Sequence, residues 1–171
     1  SLKTILITGA TSGIGLATAK KLANSKNNLI LCGRRQHKLD EISNELSKIT
    51  NVLSLRFDVS DKKEVNKVLE NIPEEFSAID ILINNAGNAH GLDTIQDGSL
   101  DDWDNMIDSN VKGLLYVSRV IMPKMIENQN GHIINIGSLA GREVYEKGNI
   151  YCATKHAVNA ISKAMRIDLN K

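Results

Sequence analysis

Residues 3–15 read KTILITGATSGIG: a short run of β-formers that stops in a threonine and a glycine turn, with a helical pattern directly behind it. A strand followed at once by glycines and then by a helix is the entry to a βαβ unit. Gly9, Gly13 and Gly15 bracket that step with the spacing GxxxGxG. Glycines at such a junction let the backbone turn tightly and approach a pyrophosphate, and the amides at the helix N-terminus then face its oxygens. Thr11 and Ser12 add hydroxyl donors, and Ile14 sits between the last two glycines.

The same alternation continues downstream. Apolar runs at 3–8, 28–33, 52–59, 79–84 and 132–137 are separated by helical patterns at 13–25, 36–48 and 61–71 and by a long helical region over 99–129; a last helix is expected from near Ile150 to the end. The apolar runs are continuous rather than alternating, as in strands covered by helices on both faces. The expected fold is α/β: a Rossmann-type, doubly wound parallel sheet in three layers, with residues 1–171 forming a single nucleotide-binding domain.

A hydrophobic share of 42%, a charged share of 24% and a formal net charge of +1 describe an ordinary globular chain with no broad basic field for nucleic acid. Cys32 and Cys152 stand far apart in apolar or small-residue surroundings, without metal-ligand spacing, and read as reduced packing residues. His37, His90, His132 and His156 also lack metal spacing, so no metal is expected. The apolar run at the start is too short for a signal-peptide core or a membrane span, which leads to the expectation of a cytoplasmic protein that uses no membrane partner.

The second apolar run ends in LCGRR. An NAD-binding chain places a carboxylate at this point to hold the ribose 2′-hydroxyl, whereas basic residues accommodate a 2′-phosphate. Gly33 is followed here by Arg34 and Arg35, so NADP(H) is favoured over NAD(H). Asp58 and Val59 end the third run, and Asn85, Ala86 and Gly87 follow the fourth, so all of these lie on the carboxyl edge where such sheets bind ligands.

Near the C-terminus stands GNIYCATK, residues 148–155. Tyr151 and Lys155 are one helical turn apart and share a face. Taken alone, the pair is also compatible with a solvated helix.

TGATSGIG at 8–15, NNAG at 84–87, Asn110 in DSNVKG, Ser138 in INIGS and YCATK at 151–155 together resemble the short-chain dehydrogenase/reductase family, in the family's order and across almost the whole chain. CGRRQHKL, IDILINNAG, SLAGREVY and IYCATKHAV look like its NADP-dependent 3-hydroxy acid branch, which acts on serine and allo-threonine; ketoacyl reductases share much of this pattern. The resemblance implies hydride transfer between a nicotinamide and a secondary alcohol or carbonyl. Tyr151 would be the general acid/base and Lys155 its tuner and a ligand of the nicotinamide ribose. Ser138 would hold the substrate oxygen, and the main chain of Asn110 would support a water that relays protons to Lys155.

The chemistry needs such a set. A free tyrosine, with a pKa near 10, is a poor base at neutral pH, and lowering it by about three units takes roughly 4 kcal/mol of differential stabilisation. A neighbouring ammonium and an oxidised nicotinamide ring can supply that in a partly dry pocket. Two other readings stand beside it: a non-catalytic NADP(H)-binding regulatory or scaffold module, and a reductase of 3-oxoacyl thioesters. Arg142 is a possible grip for a substrate carboxylate, and His90 a possible pocket wall.

The helices at 111–128 and 151–169 carry more apolar and small residues than one sheet face can cover, and the resemblance implies that they pair in a homodimer or homotetramer. The resemblance also implies further C-terminal strands and a substrate lid beyond Lys171, so the domain is expected to be truncated at that end.

Overall fold

The computed structural model describes residues 2–170. Five strands, β1 (Lys3–Ile7), β2 (Asn27–Gly33), β3 (Val52–Arg56), β4 (Ile81–Asn84) and β5 (His132–Asn135), form one sheet in the order β3-β2-β1-β4-β5, and every pair is parallel. Between them run α1 (Gly13–Leu22), α2 (Gln36–Leu46), α3 (Lys62–Leu69), the single turn α4 (Glu74–Ser77), α5 (Leu100–Ile107) and α6 (Leu114–Glu127); α7 (Asn149–Leu169) follows β5. The chain moves outward from β1 to β3 and then returns to the other side of β1. That reversal puts a crevice beyond the carboxyl ends of β1 and β4.

Ile5–Ile7 of β1, Leu29–Cys32 of β2 and Ile81–Ile83 of β4 are apolar without a break because both faces of the sheet are covered. Leu6, Ile30, Cys32 and Leu82 pack with Val65 and Leu69 of α3 and with Val117 and Ile121 of α6. Ile5, Ile7, Leu29, Leu31 and Ile83 pack on the other face with Ala19 of α1 and with Leu39, Ile42 and Leu46 of α2. Successive residues of one strand therefore belong to different layers, as the period of two requires. The expected three-layer parallel sheet is the one observed.

A polar rung crosses the α6 side. Asn84 Nδ2 donates to Ser118 Oγ of α6 (3.0 Å) and to Asn135 Oδ1 of the adjacent strand (2.9 Å). Asn135 Nδ2 in turn donates to Ser162 Oγ of α7 (2.8 Å). The rung ties both helices to paired positions of β4 and β5.

Several boundaries differ from the sequence expectation for local reasons. β3 stops at Arg56 rather than Val59, because the Asp58 amide turns to Glu64 Oε2 (3.0 Å) and the Asp58 carboxylate accepts from Ser60 N and Oγ (2.9 and 2.7 Å). α3 begins one residue late, after Asp61 caps it by accepting from the amides of Lys63 and Glu64. The helical region expected over 99–129, which Asn110 interrupts in the sequence, is three pieces, α5, a π-helical segment over Asp108–Gly113, and α6. Ser99 is the N-cap of α5, accepting from Asp102 N at 3.3 Å. The half-buried Trp103 packs its indole against Gly98.

Candidate active site

The first glycine turn is built by close backbone approach. Gly9 has φ of +61° and Gly13 +54°, both in the left-handed region that glycine adopts freely. A Cβ on Gly15 would collide with the carbonyl oxygen of Gly9 and with the Asn85 side chain, so α1 starts tight against the strand end. Ser12, the N-cap of α1, makes no side-chain capping bond, so the first amides of the helix are not taken by it.

A second tie joins this turn to the end of β4. Thr8 Oγ1 accepts from the amides of Asn85 and Ala86, both at 3.0 Å, and Asn85 Nδ2 donates to the carbonyls of Thr8 and Gly9 at 3.1 and 3.0 Å. The two strand ends at the switch point thus hold each other. Between them and β2–β3 lies a cleft of about 290 Å³ walled by Gly9, Thr11 to Ile14, Arg34, Arg35, Asp58, Val59 and Asn85 to Asn88. Of the residues expected at a dinucleotide, all but Gly15, Tyr151 and Lys155 line this one cleft, and Gly15 is buried directly behind it. Arg35 Nη2 donates to Thr11 Oγ1 (3.0 Å), and Arg34 Nη1 lies 4.0 Å from Asp58 Oδ2. Both guanidiniums stay exposed at the mouth, where a phosphate would find them with donors to spare.

α7 brings up the remaining groups. Its start is set by Gly148, after which Tyr151 and Lys155 face the same side, with Lys155 Nζ 5.9 Å from the centre of the Tyr151 ring. Nζ also donates a long bond to the Ile136 carbonyl beyond β5 (3.5 Å), and a Cβ on Gly87 would lie 3.8 Å from it. Burial lowers the Lys155 ammonium from its ordinary 10.5. Lys155 thus stands where the cleft meets a second, larger groove along β5, whose wall it shares with Ser138 and Arg142. Ser138 opens a turn over Leu139–Gly141, accepting from Ala140 N at 3.2 Å, and that turn packs on the Lys155 backbone through Gly141.

Asn110 is 2% exposed, inside the π segment. Its Oδ1 accepts from the Asn88 amide and its Nδ2 donates to the Asn88 carbonyl, both at 2.7 Å; Nδ2 also donates to Thr154 Oγ1 at 3.1 Å. Beside the main-chain role that the resemblance implies for Asn110, its side chain links the cleft wall at Asn88 to α7. Thr8, Asn88 and Thr154 were missed by sequence reasoning. The threonine ahead of Gly9 was the one available signal, since a hydroxyl at a strand end invites amide donors. His90 lies beside a small void shared with Tyr151, Lys147 and Asn149. Among the described residues no cluster of acidic, histidine or cysteine side chains could hold a metal, and no helix is long and apolar enough to cross a membrane.

Residues 3–171 match the sequence profile of the short chain dehydrogenase family. The chain is 42% identical over 166 residues to the NADP-dependent 3-hydroxy acid dehydrogenase YdfG of Shigella flexneri, covering 97% of this chain and 66% of that protein. It is 47% identical over 167 residues to the NADP-dependent 3-hydroxy acid dehydrogenase of Schizosaccharomyces pombe, covering 96% of this chain and 64% of that one. Among solved structures, the closed form of a serine dehydrogenase complexed with NADP+ superposes with a TM-score of 0.93 at 42% identity, over 97% of this chain and 66% of that one. The chain therefore spans just under two thirds of the length of these relatives.

Proposed function

Because the chain belongs to the short chain dehydrogenase family, we propose that it is an NADP(H)-dependent oxidoreductase acting on a secondary alcohol or the matching carbonyl, with small 3-hydroxy acids as its substrate class. The observation that carries this reading is the pairing of Tyr151 with a partly desolvated Lys155, whose ammonium reaches towards Gly87 in the wall of the cleft that Arg34 and Arg35 also line. The substrate class is that of the 3-hydroxy acid dehydrogenases that the chain resembles at 42% and 47% identity.

The cleft fits the cofactor in its donors. Gly9 and Thr11 to Gly15 would take the pyrophosphate, Arg34 and Arg35 the 2′-phosphate, Asp58 and Val59 the adenine side, and Asn85 to Gly87 the second ribose, while Tyr151 and Lys155 would take the nicotinamide ribose. When bound, NADP+ accepts a hydride and NADPH donates one.

The chain's own residues handle the proton. In oxidation Tyr151 takes the hydroxyl proton of the substrate, and in reduction it returns one to the carbonyl oxygen. Ser138 holds that oxygen by a hydrogen bond. Lys155, stripped of part of its solvation, stands 5.9 Å from the centre of the Tyr151 ring, where its charge acts on the proton transfer. Asn110 keeps the Asn88 wall and α7 in fixed relation.

The 171 residues act as one nucleotide-binding unit, and with two buried free cysteines we place it in the cytoplasm. A homodimer or homotetramer would form through the helices at 111–128 and 151–169, where Leu115 on α6 and Ala153, Ala160 and Ala164 on α7 are exposed.

The test follows NADPH absorbance with a panel of 3-hydroxy acids, plain alcohols, 3-oxoacyl thioesters and other carbonyls, repeated with NADH. Turnover fastest with a 3-hydroxy acid and NADP(H) is expected. Faster turnover of thioesters would replace the substrate class, and NADPH binding without turnover on any compound would leave only a binding module.

A further inference from the structure

Between Tyr151 and Lys155 lies a third polar side chain, Thr154, 2% exposed. Its hydroxyl is committed on both sides: it accepts from Asn110 Nδ2 at 3.1 Å and donates to the Tyr151 carbonyl at 2.8 Å. The direction of this chain is fixed from its far end. Asn88 presents an amide and a carbonyl to Asn110, so Asn110 Oδ1 must face the amide and Nδ2 the carbonyl, both at 2.7 Å. The second hydrogen of Nδ2 then points at Thr154, whose oxygen must accept it, and the hydroxyl hydrogen is left for Tyr151 O. Four groups from three places in the chain are thus joined in one directed line: the cleft wall after β4, the π segment, and the first turns of α7.

We propose that Thr154 is a positioning residue for the Tyr151–Lys155 pair, coupling the carbonyl of Tyr151 through Asn110 to the Asn88 wall of the cofactor cleft. This rests on the reading of Tyr151 and Lys155 as the proton-handling pair. An ordinary helix would leave the rotation of the Tyr151 turn to backbone bonds and packing alone. Here a side-chain bond back to the carbonyl three residues earlier adds a constraint on that turn, and such bonds bend a helix slightly. Asn110 anchors the constraint to the wall against which the cofactor would lie. The buried line tolerates no half measure, because a donor left without an acceptor there costs more than the bond itself returns.

The experiment compares Thr154→Val, which replaces the hydroxyl with a methyl of similar size, with Thr154→Ser, which keeps it. Two readouts are taken on each chain: steady-state kinetics with NADP(H), and amide hydrogen exchange at Asn88. Thr154→Val is expected to lower kcat by about tenfold, the size of one buried hydrogen bond, with NADPH affinity within about twofold, because Asn110 still holds Asn88 by two bonds. Exchange at Asn88 should rise by a similar factor, since Asn110 loses one of its three ties, while amides of α2 stay as they were. Thr154→Ser should restore both. Unchanged kcat in a Thr154→Val chain that turns over, or faster Asn88 exchange with no loss of kcat, would overturn the positioning role. A wild-type chain without turnover would instead defeat the proposed function, and the exchange arm would still decide the coupling: unaltered Asn88 protection in Thr154→Val would overturn it.

Discussion

An ammonium half withdrawn from water, with a phenol ring centred 5.9 Å from its nitrogen, is the electrostatic centre of the site. Burial lowers Lys155 below 10.5, so the unfolded chain binds this proton more tightly than the folded one. The penalty is fully present below the folded value and is relieved as pH rises from that value towards 10.5. Lys155→Met removes the group, and its stability advantage over wild type in urea unfolding should therefore shrink as pH rises through that window. A constant difference across the alkaline range would contradict the desolvation. At the cleft mouth, Arg34→Ala with Arg35→Ala should lower the preference for NADPH over NADH by about ten- to a hundredfold, as expected for lost charge-assisted bonds to a phosphate; paired fluorescence titrations measure it. Helix spacing puts Tyr151 and Lys155 on one face, and the family resemblance, rather than the spacing, gave the pair its expected role. Asn88 and Thr154 could not be read from the sequence, because each depends on Asn110, which is 22 and 44 residues away in the chain.

The elements that place these side chains were legible in order and less so at their ends. Continuous apolar runs announced the parallel strands, while β3 ends early through the Asp58 turn, whose partners are polar side chains that hydrophobic pattern does not register. The π segment at Asp108–Gly113 was visible only as an interruption at Asn110. It inserts wider turns into a helix and carries the Asn110 amide to Asn88 and Thr154, a use that periodicity cannot reveal. At the first turn, Gly15→Ala would drive a methyl into the Gly9 carbonyl. A loss of about 2 kcal/mol or more in urea unfolding is expected, with weakened NADPH binding. The rung from Ser118 through Asn84 and Asn135 to Ser162 predicts a comparable effect. Asn84→Leu leaves Asn135 Oδ1 and Ser118 without their donor and should lower stability by about 1–3 kcal/mol.

For the molecule as a whole, the reversal of strand order at β1 gathers the carboxyl ends of the strands and the start of α1 around one crevice, with Lys155 of α7 reaching towards Gly87 in its wall. The exposed row on α6 and α7 bears on assembly: Leu115→Arg should reduce the mass seen by light scattering to that of a monomer, and a wild-type chain already monomeric at micromolar concentration would count against the interface. On the proposed reading, this fold sets a tyrosine to move a proton beside NADP(H). The most direct test of that reading is Tyr151→Phe, which removes only the phenolic oxygen. Turnover of NADPH with the best substrate should fall by roughly 10²–10⁴-fold while NADPH affinity, measured by fluorescence titration, stays within a few-fold of wild type. A Tyr151→Phe chain that turns over at the wild-type rate would contradict the account.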